Sequence, residues 1–271
     1  LLDQFRHDLE TMEAALTRFH PDSELSHLNR HSGTWVEVSP LLFEVLQAAH
    51  QAALLTEGMF NPLVLPALIA SGYDRSFELL QTPVRQPTHP AGDWQQMKLR
   101  LRTREVYLPE GSALDLGGIG KGWAADKFAS QLAEYGAVLV NIGGDIAARG
   151  QPEGQPGWLV DVSEPGAETI FTTITLTDGG IVTTALDYRH WMTSDGQQQH
   201  HIIDPRTGQP ARTDVYSVTI RHPRATLAEA FAKAVMLRGS QAGLGWLSQQ
   251  WDTAALVVRN DGAVLATSNW Q

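Results

Sequence analysis

The chain has 271 residues, of which 42% are hydrophobic and 18% charged, a balance that suits a folded globular protein and lies well away from the disordered class. Lys plus Arg number 20 against 30 Asp plus Glu, and the resulting formal charge of −10 argues against non-specific nucleic-acid binding, which relies on cations to neutralise phosphates. There is no cysteine, which excludes disulfides, thiolate metal sites and cysteine nucleophiles while leaving the compartment open.

Apolar residues at Leu2, Phe5, Leu9, Met12, Leu16 and Phe19 alternate in spacings of three and four, which predicts an amphipathic helix at the start of the chain. No capping residue and no signal-peptide layout precede it, so a further stretch upstream is expected. Residues 20–29 read as a loop. Ser39 as cap and Pro40 at the first position begin a second helix, with Leu41, Leu42, Val45, Leu46, Ala49 and Ala53 on one face and an end near Gly58. The run Leu63 to Ile69 is interrupted by Pro66 and falls far short of the ~18 apolar residues of a membrane span. The Pro- and Gln-rich stretch 81–95 reads as a surface excursion, and Met97–Arg102 with Glu105–Leu108 as a hairpin.

A helix is predicted from about Gly122 to Tyr135, stopped by Gly136, and Ala137–Ile142 reads as a buried strand. Further strands are expected at Trp158–Val162, Thr169–Leu176, Ile181–Thr184 and Val215–Arg221. Helices follow at Leu227–Arg238 and Ser240–Gln250, and a closing hairpin turns at Asn260-Asp261-Gly262. Strands and helices mix without strict βαβ alternation, so the expected class is α+β, in one integrated domain over 1–271.

Chemistry concentrates in two places. Gly117, Gly118, Gly120 and Gly122 surround Lys121 at the start of the predicted helix, where unpaired N–H groups and a lysine suit a phosphate. The pattern is neither a P-loop, since Gly122 follows Lys121, nor a dinucleotide fingerprint, since Trp123 stands where the third glycine belongs. Without a ligand, the same residues make a strand-to-helix turn with Lys121 on the surface. The second place is His200-His201-Ile202-Ile203-Asp204-Pro205-Arg206-Thr207-Gly208, turn chemistry preceded by two histidines that on a strand point to opposite faces. Val140 to Asp145 reads as a tight turn at a strand end.

Taken in order, these runs resemble the ApbE-type flavin transferase family, the FAD:protein FMN transferases once described as thiamine-biosynthesis lipoproteins. Pro21 to Asn29, Thr56 to Pro62, Asp115 to Asp126, Val140 to Asp145, Asp187 to Arg189 and His201 to Gly208 carry the likeness, over about residues 1–266. The resemblance implies a single α+β domain related to the T-fold, an FAD cleft and a magnesium ion near the pyrophosphate. It also implies transfer of FMN to a threonine or serine hydroxyl of an acceptor flavoprotein subunit, with release of AMP. Some members instead hydrolyse FAD to FMN and AMP. It further implies a location in the periplasm or on the outer face of the inner membrane, where many members are held by a lipid anchor upstream of the domain. By position it places Phe19 beside the isoalloxazine, in place of the usual tyrosine. Met59, Phe60 and Asn61 fall on a flavin-binding turn, Asn61 replacing an aspartate, and Asp115 and Lys121 match FAD contacts. The Gly118 carbonyl falls on a metal-ligand position, and His201 near the reacting phosphates.

Two departures stand out. The family's Ala-Asp-x-x-x-Thr metal pattern reads here Ala228-Glu229-Ala230-Phe231-Ala232-Lys233, so Glu229 takes the metal-ligand position and Lys233 that of the threonine. A protonated lysine cannot ligate a metal, and Glu229 and Lys233 are spaced for a helical ion pair. Lys233 thereby becomes a catalytic candidate, an ammonium where a metal would neutralise the diphosphate. The family's Thr-Ser-Gly reads Thr184-Ala185-Leu186. The alternative to a transferase is an FAD-binding protein without transfer, or an FAD pyrophosphatase.

Overall fold

In a computed structural model, which describes residues 2–164 and 169–270, the chain gathers into two compact units that it visits twice each, Leu1–Gly117 with Arg189–Ala211 and Gly118–Tyr188 with Arg212–Gln271. The first unit opens with helices α1 (Leu2–Leu16) and α2 (Glu24–Arg30), strand β1 (Trp35–Glu37), helices α3 (Pro40–Leu55) and α4 (Leu65–Ala70), and strands β2 (Lys98–Arg100) and β3 (Glu105–Tyr107). The chain then enters the second unit with α5 (Gly120–Leu132), β4 (Val138–Ile142), β5 (Asp145–Arg149), β6 (Trp158–Ser163), β7 (Ile170–Leu176) and β8 (Gly179–Ala185). It returns to the first unit for the short strands β9 (His190–Met192), β10 (Gln198–His200), β11 (Ile203–Asp204) and β12 (Gln209–Pro210). It finishes in the second with β13 (Val215–His222), α6 (Ala225–Arg238), α7 (Ser240–Leu247), β14 (Ala254–Arg259) and β15 (Val264–Ala266). The class is α+β, and among the described residues no helix is long and apolar enough to cross a membrane.

In the first unit, α3 forms as its sequence dictates: the Ser39 hydroxyl accepts the Leu42 amide, Pro40 occupies the first turn, and Leu42, Val45, Leu46, Ala49 and Ala53 are buried. The 20–29 segment, expected as a loop, instead contains α2. Ser23 caps it by accepting the Ser26 amide, and Leu25 and Leu28, three apart, are fully buried. Its Glu24 carboxylate then receives both the Ser39 amide, at 2.5 Å, and the Ser39 hydroxyl, at 2.6 Å, so α2 holds the start of α3. The interrupted run Leu63 to Ile69 also becomes helical, as α4, because Pro66 falls in its first turn, where a missing N–H costs nothing. The antiparallel hairpin of β2 and β3 forms with its turn at residues 101–104, and β1 adds to the free side of β3.

The second unit is built on a six-stranded antiparallel sheet in the order β15-β14-β13-β8-β5-β4. The antiparallel pair β6 and β7 covers one face, where Val160, Val162, Ile174 and Leu176 meet Ile146, Ala148, Ile181 and Leu256. Helices α5 and α6 pack against β5, β8 and β13 and against each other. Strand β5 was not expected; Gly143 and Gly144, both at positive φ, form a two-residue hairpin turn that carries Asp145 onto it from β4.

Candidate functional site

The glycine-rich start of α5 is shaped by the helix beside it. A Cβ on Gly122 would lie 2.5 Å from the Ala225 carbonyl oxygen, so only glycine lets α5 approach the first turn of α6 backbone to backbone. The two helices then cap each other. Glu229 of α6 accepts the Gly122 amide at 2.9 Å, while Asp126 of α5 accepts the Ala225 and Thr226 amides and the Thr226 hydroxyl at 3.1, 2.9 and 2.6 Å. Each carboxylate occupies the positive end of its neighbour's dipole and satisfies donors that a helix start otherwise leaves open. Spacing along the chain carries no signal for this exchange, because its partners are about a hundred residues apart.

Around that junction lies a cluster of four charges. Lys121 Nζ is 2.6 Å from Oδ2 of Asp145, and Lys233 Nζ is 3.3 Å from Oε1 of Glu229. The two carboxylates are almost wholly buried, at 2% and 1% side-chain exposure, whereas Lys121 is 41% exposed. Burial pushes the Asp145 carboxyl up to about 7; the negative Glu229 adds to the rise, and Lys121 and Lys233 oppose it. The amides of Gly120 and Lys121, the first of the helix, make no hydrogen bond among the described residues. The expected phosphate cradle therefore keeps these two backbone donors and the Lys121 ammonium, while its third amide, Gly122, is committed to Glu229.

A magnesium ion does not fit this donor set. Magnesium requires hard oxygen ligands in near-octahedral array. Of the Glu229 oxygens, one is held by the Gly122 amide and the other faces an ammonium, and Asp145 is already paired. Two ammoniums balance two carboxylates, so no net negative charge draws a dication in. Among the described residues, no group of three or more carboxylates and imidazoles converges. Glu229, expected as a metal ligand, thus stands in a cluster completed by lysines, and Gly118, the other expected ligand, lies in the turn before α5.

The remaining expected residues belong to the first unit, and a residue that sequence reasoning missed organises one group of them. Arg18 Nε is 2.6 Å from Oδ2 of Asp115, with both side chains largely buried, and Arg18 Nη2 donates to the Tyr73 carbonyl at 2.9 Å. The other Asp115 oxygen accepts the Gly117 amide. The Arg18 guanidinium lies 4.2 Å from the centroid of the Phe19 ring and 4.6 Å from that of Tyr73, and Tyr73 packs on Trp191. Phe19 remains 42% exposed. Burial holds the Tyr73 hydroxyl above its ordinary pKa. An arginine directly before Phe19 was the only sequence signal for this arrangement.

Met59, Phe60 and Asn61 form the turn after α3. Thr56 accepts the Phe60 amide, Phe60 is buried, and Met59 is half-buried. The Asn61 side chain donates to the Gly92 carbonyl and accepts the Leu63 amide, so it staples the turn. The adjacent histidines separate by tautomer. His200 Nε2 meets the Ala211 carbonyl while Nδ1 accepts the Ile202 amide, a backbone-holding role. His201 Nδ1 meets the Arg189 carbonyl at 3.2 Å, and since a carbonyl only accepts, Nδ1 carries a proton in that contact.

The model of the ApbE family matches residues 1–257. The FAD:protein FMN transferase of Treponema pallidum is 31% identical over 281 residues, covering 96% of this chain and 77% of that protein. That of Haemophilus influenzae is 27% identical, with 96% and 79% covered. Among solved structures, the ApbE protein of Thermotoga maritima superposes with a TM-score of 0.87 at 28% identity, over 98% of this chain and 88% of that one. The flavin transferase ApbE from Vibrio cholerae gives 0.82 at 26% identity, over 99% and 88%. The family match runs through both compact units, and the chain belongs to the ApbE family.

Proposed function

We propose that this chain transfers FMN from FAD to a serine or threonine hydroxyl of an acceptor flavoprotein subunit and releases AMP. The observation that carries this reading is the start of α5, where two backbone amides and the Lys121 ammonium can meet an anion, in a chain whose relatives are named FAD:protein FMN transferases. In the reaction the acceptor oxygen bonds to the phosphorus on the flavin side, the bridging P–O bond breaks, and AMP departs with the bridging oxygen. His201, whose ring is oriented by the Arg189 carbonyl at Nδ1, receives the hydroxyl proton. Lys121 and the Gly120 and Lys121 amides hold the diphosphate. Asp115 fixes the flavin side through its pairing with Arg18, with Phe19 beside the flat ring and the Met59 to Asn61 turn bounding it. Phosphoryl transfer of this kind depends chiefly on positioning and charge neutralisation, which is what these groups supply.

The test is incubation of the chain with FAD and an acceptor domain carrying the target hydroxyl, reading released AMP and flavin fluorescence on the denatured acceptor. Covalent flavin with matching AMP is the expected result. AMP without labelling would make the chain an FAD pyrophosphatase. FAD bound without AMP would favour the second reading, a flavin-binding protein that does not transfer. The lysine-completed charge cluster is the observation in favour of that second reading.

A further inference from the structure

We infer that this site neutralises the diphosphate with its own lysines, Lys233 foremost, and needs no divalent cation. The inference rests on the flavin-transfer reading above and concerns what that reading requires at the pyrophosphate.

Three observations converge on it. First, Glu229 cannot turn to a metal without cost to the fold, because its Oε2 is the cap of α5 through the Gly122 amide. Second, Lys233 cannot easily yield its place. Its side chain is only 16% exposed, it rises from a helix whose neighbouring positions Ala232 and Ala234 are fully buried, and its ammonium lies 3.3 Å from Glu229 Oε1 and 3.5 Å from the Glu229 carbonyl oxygen. Any cation reaching Glu229 Oε1 would have to displace that ammonium or stand beside it. Third, the cluster has donors to spare. An ammonium has three N–H groups; Lys121 gives one to Asp145, and Lys233 directs two at most to Glu229. The remaining N–H groups, with the Gly120 and Lys121 amides, can take the oxygens of a diphosphate. A fixed ammonium also serves the departing AMP, whose phosphate gains negative charge as the bridging bond breaks.

The experiment uses Mn2+ as the divalent probe, because its electron paramagnetic signal reports binding independently of turnover. Mn2+ is titrated into the wild-type chain with and without FAD. FAD affinity is measured by flavin fluorescence, and AMP release and labelling are followed, each in magnesium and in EDTA. The same measurements are made on Lys233→Met and on the double variant Glu229→Asp/Lys233→Thr, with circular dichroism as the check on folding. The expected result is that wild type leaves the Mn2+ signal unchanged, and that affinity and rate differ by less than about twofold between magnesium and EDTA. Lys233→Met should lose about tenfold or more in affinity or rate, and the double variant should gain one bound Mn2+.

One Mn2+ bound per wild-type chain, or a rate that collapses in EDTA, overturns the inference and leaves the transferase reading standing. FAD binding without transfer in either condition removes the transferase reading alone. In that case the inference stands if Lys233→Met weakens FAD binding in EDTA, and falls if it does not. Failure to bind FAD under any condition removes both. A double variant that does not fold leaves the wild-type Mn2+ and EDTA measurements to decide.

Discussion

In the first unit one arginine meets one carboxylate, and aromatic rings and a backbone carbonyl close the pair off; in the second, two lysines meet two carboxylates beside the open start of a helix. The Arg18 fork is planar and uses separate nitrogens for Asp115 and for the Tyr73 carbonyl, so its geometry is set from several directions at once. The lysines are point charges on flexible stems, and Lys121 keeps a substantial part of its side chain in solvent. An arginine pair of the first kind positions a wall; lysine pairs of the second kind can exchange a carboxylate for a phosphate. The difference separates a scaffold from a site that handles charge.

The comparison can be broken first at the arginine. Arg18→Met leaves the Asp115 carboxylate buried and unpaired, and a loss of roughly 3–5 kcal/mol is expected. For a chain of this length that lowers Tm by on the order of 6–15 °C in a thermal scan. Arg18→Lys should recover only part of it, since an ammonium lacks the fork.

At the lysine the balance inverts. Lys121→Met leaves Asp145 buried without its ammonium, but that carboxyl, already pushed up to about 7, takes up a proton, so the fall in melting temperature should be smaller than for Arg18→Met, while FAD-dependent AMP release falls by about a hundredfold. Gly122→Ala tests whether the close approach of α5 and α6 builds this cluster. A Cβ 2.5 Å from the Ala225 carbonyl forces the helices apart at an expected cost of about 1–3 kcal/mol, read as a lower urea midpoint.

The smallest effect sharpens the comparison through pH. The folded-state pKa of Asp145, about 7, lies above its ordinary 3.8, so between those values the folded chain holds a proton that the unfolded chain has lost. Its contribution to stability therefore falls as pH rises from about 4 to about 7 and levels off above. Asp145→Asn removes that slope. The variant should melt with wild type near pH 4 and a few degrees above it near pH 8; a constant difference between the two curves would show that Asp145 is not the group titrating.

Much of this was legible along the chain. The period of three and four marked α1, and a Ser-Pro start marked α3. The glycine run marked the opening of α5, and the Glu229 to Lys233 spacing announced an ion pair that forms as read. Helix α2 was hidden because its seven residues carry only Leu25 and Leu28 as buried anchors, too few to show a period. Strands β9 to β12 are two or three residues long and leave no alternation to detect. Asp145 showed itself only as a residue after a glycine turn, and Arg18 only as the neighbour of an aromatic.

By itself the sequence determined the α+β class, the family, the starts of α3 and α7 and the Glu229–Lys233 ion pair, because these depend on local period, local caps and runs of residues in a fixed order. Tertiary structure alone decided which charge meets which. It gave Asp115 to Arg18, Asp145 to Lys121 and the Gly122 amide to Glu229, and it made a lysine the neighbour of the carboxylate where a metal was expected. The energy of a charge depends on how far it is withdrawn from water and on what stands within a few ångströms of it, and both are set by segments that meet only when the chain has folded.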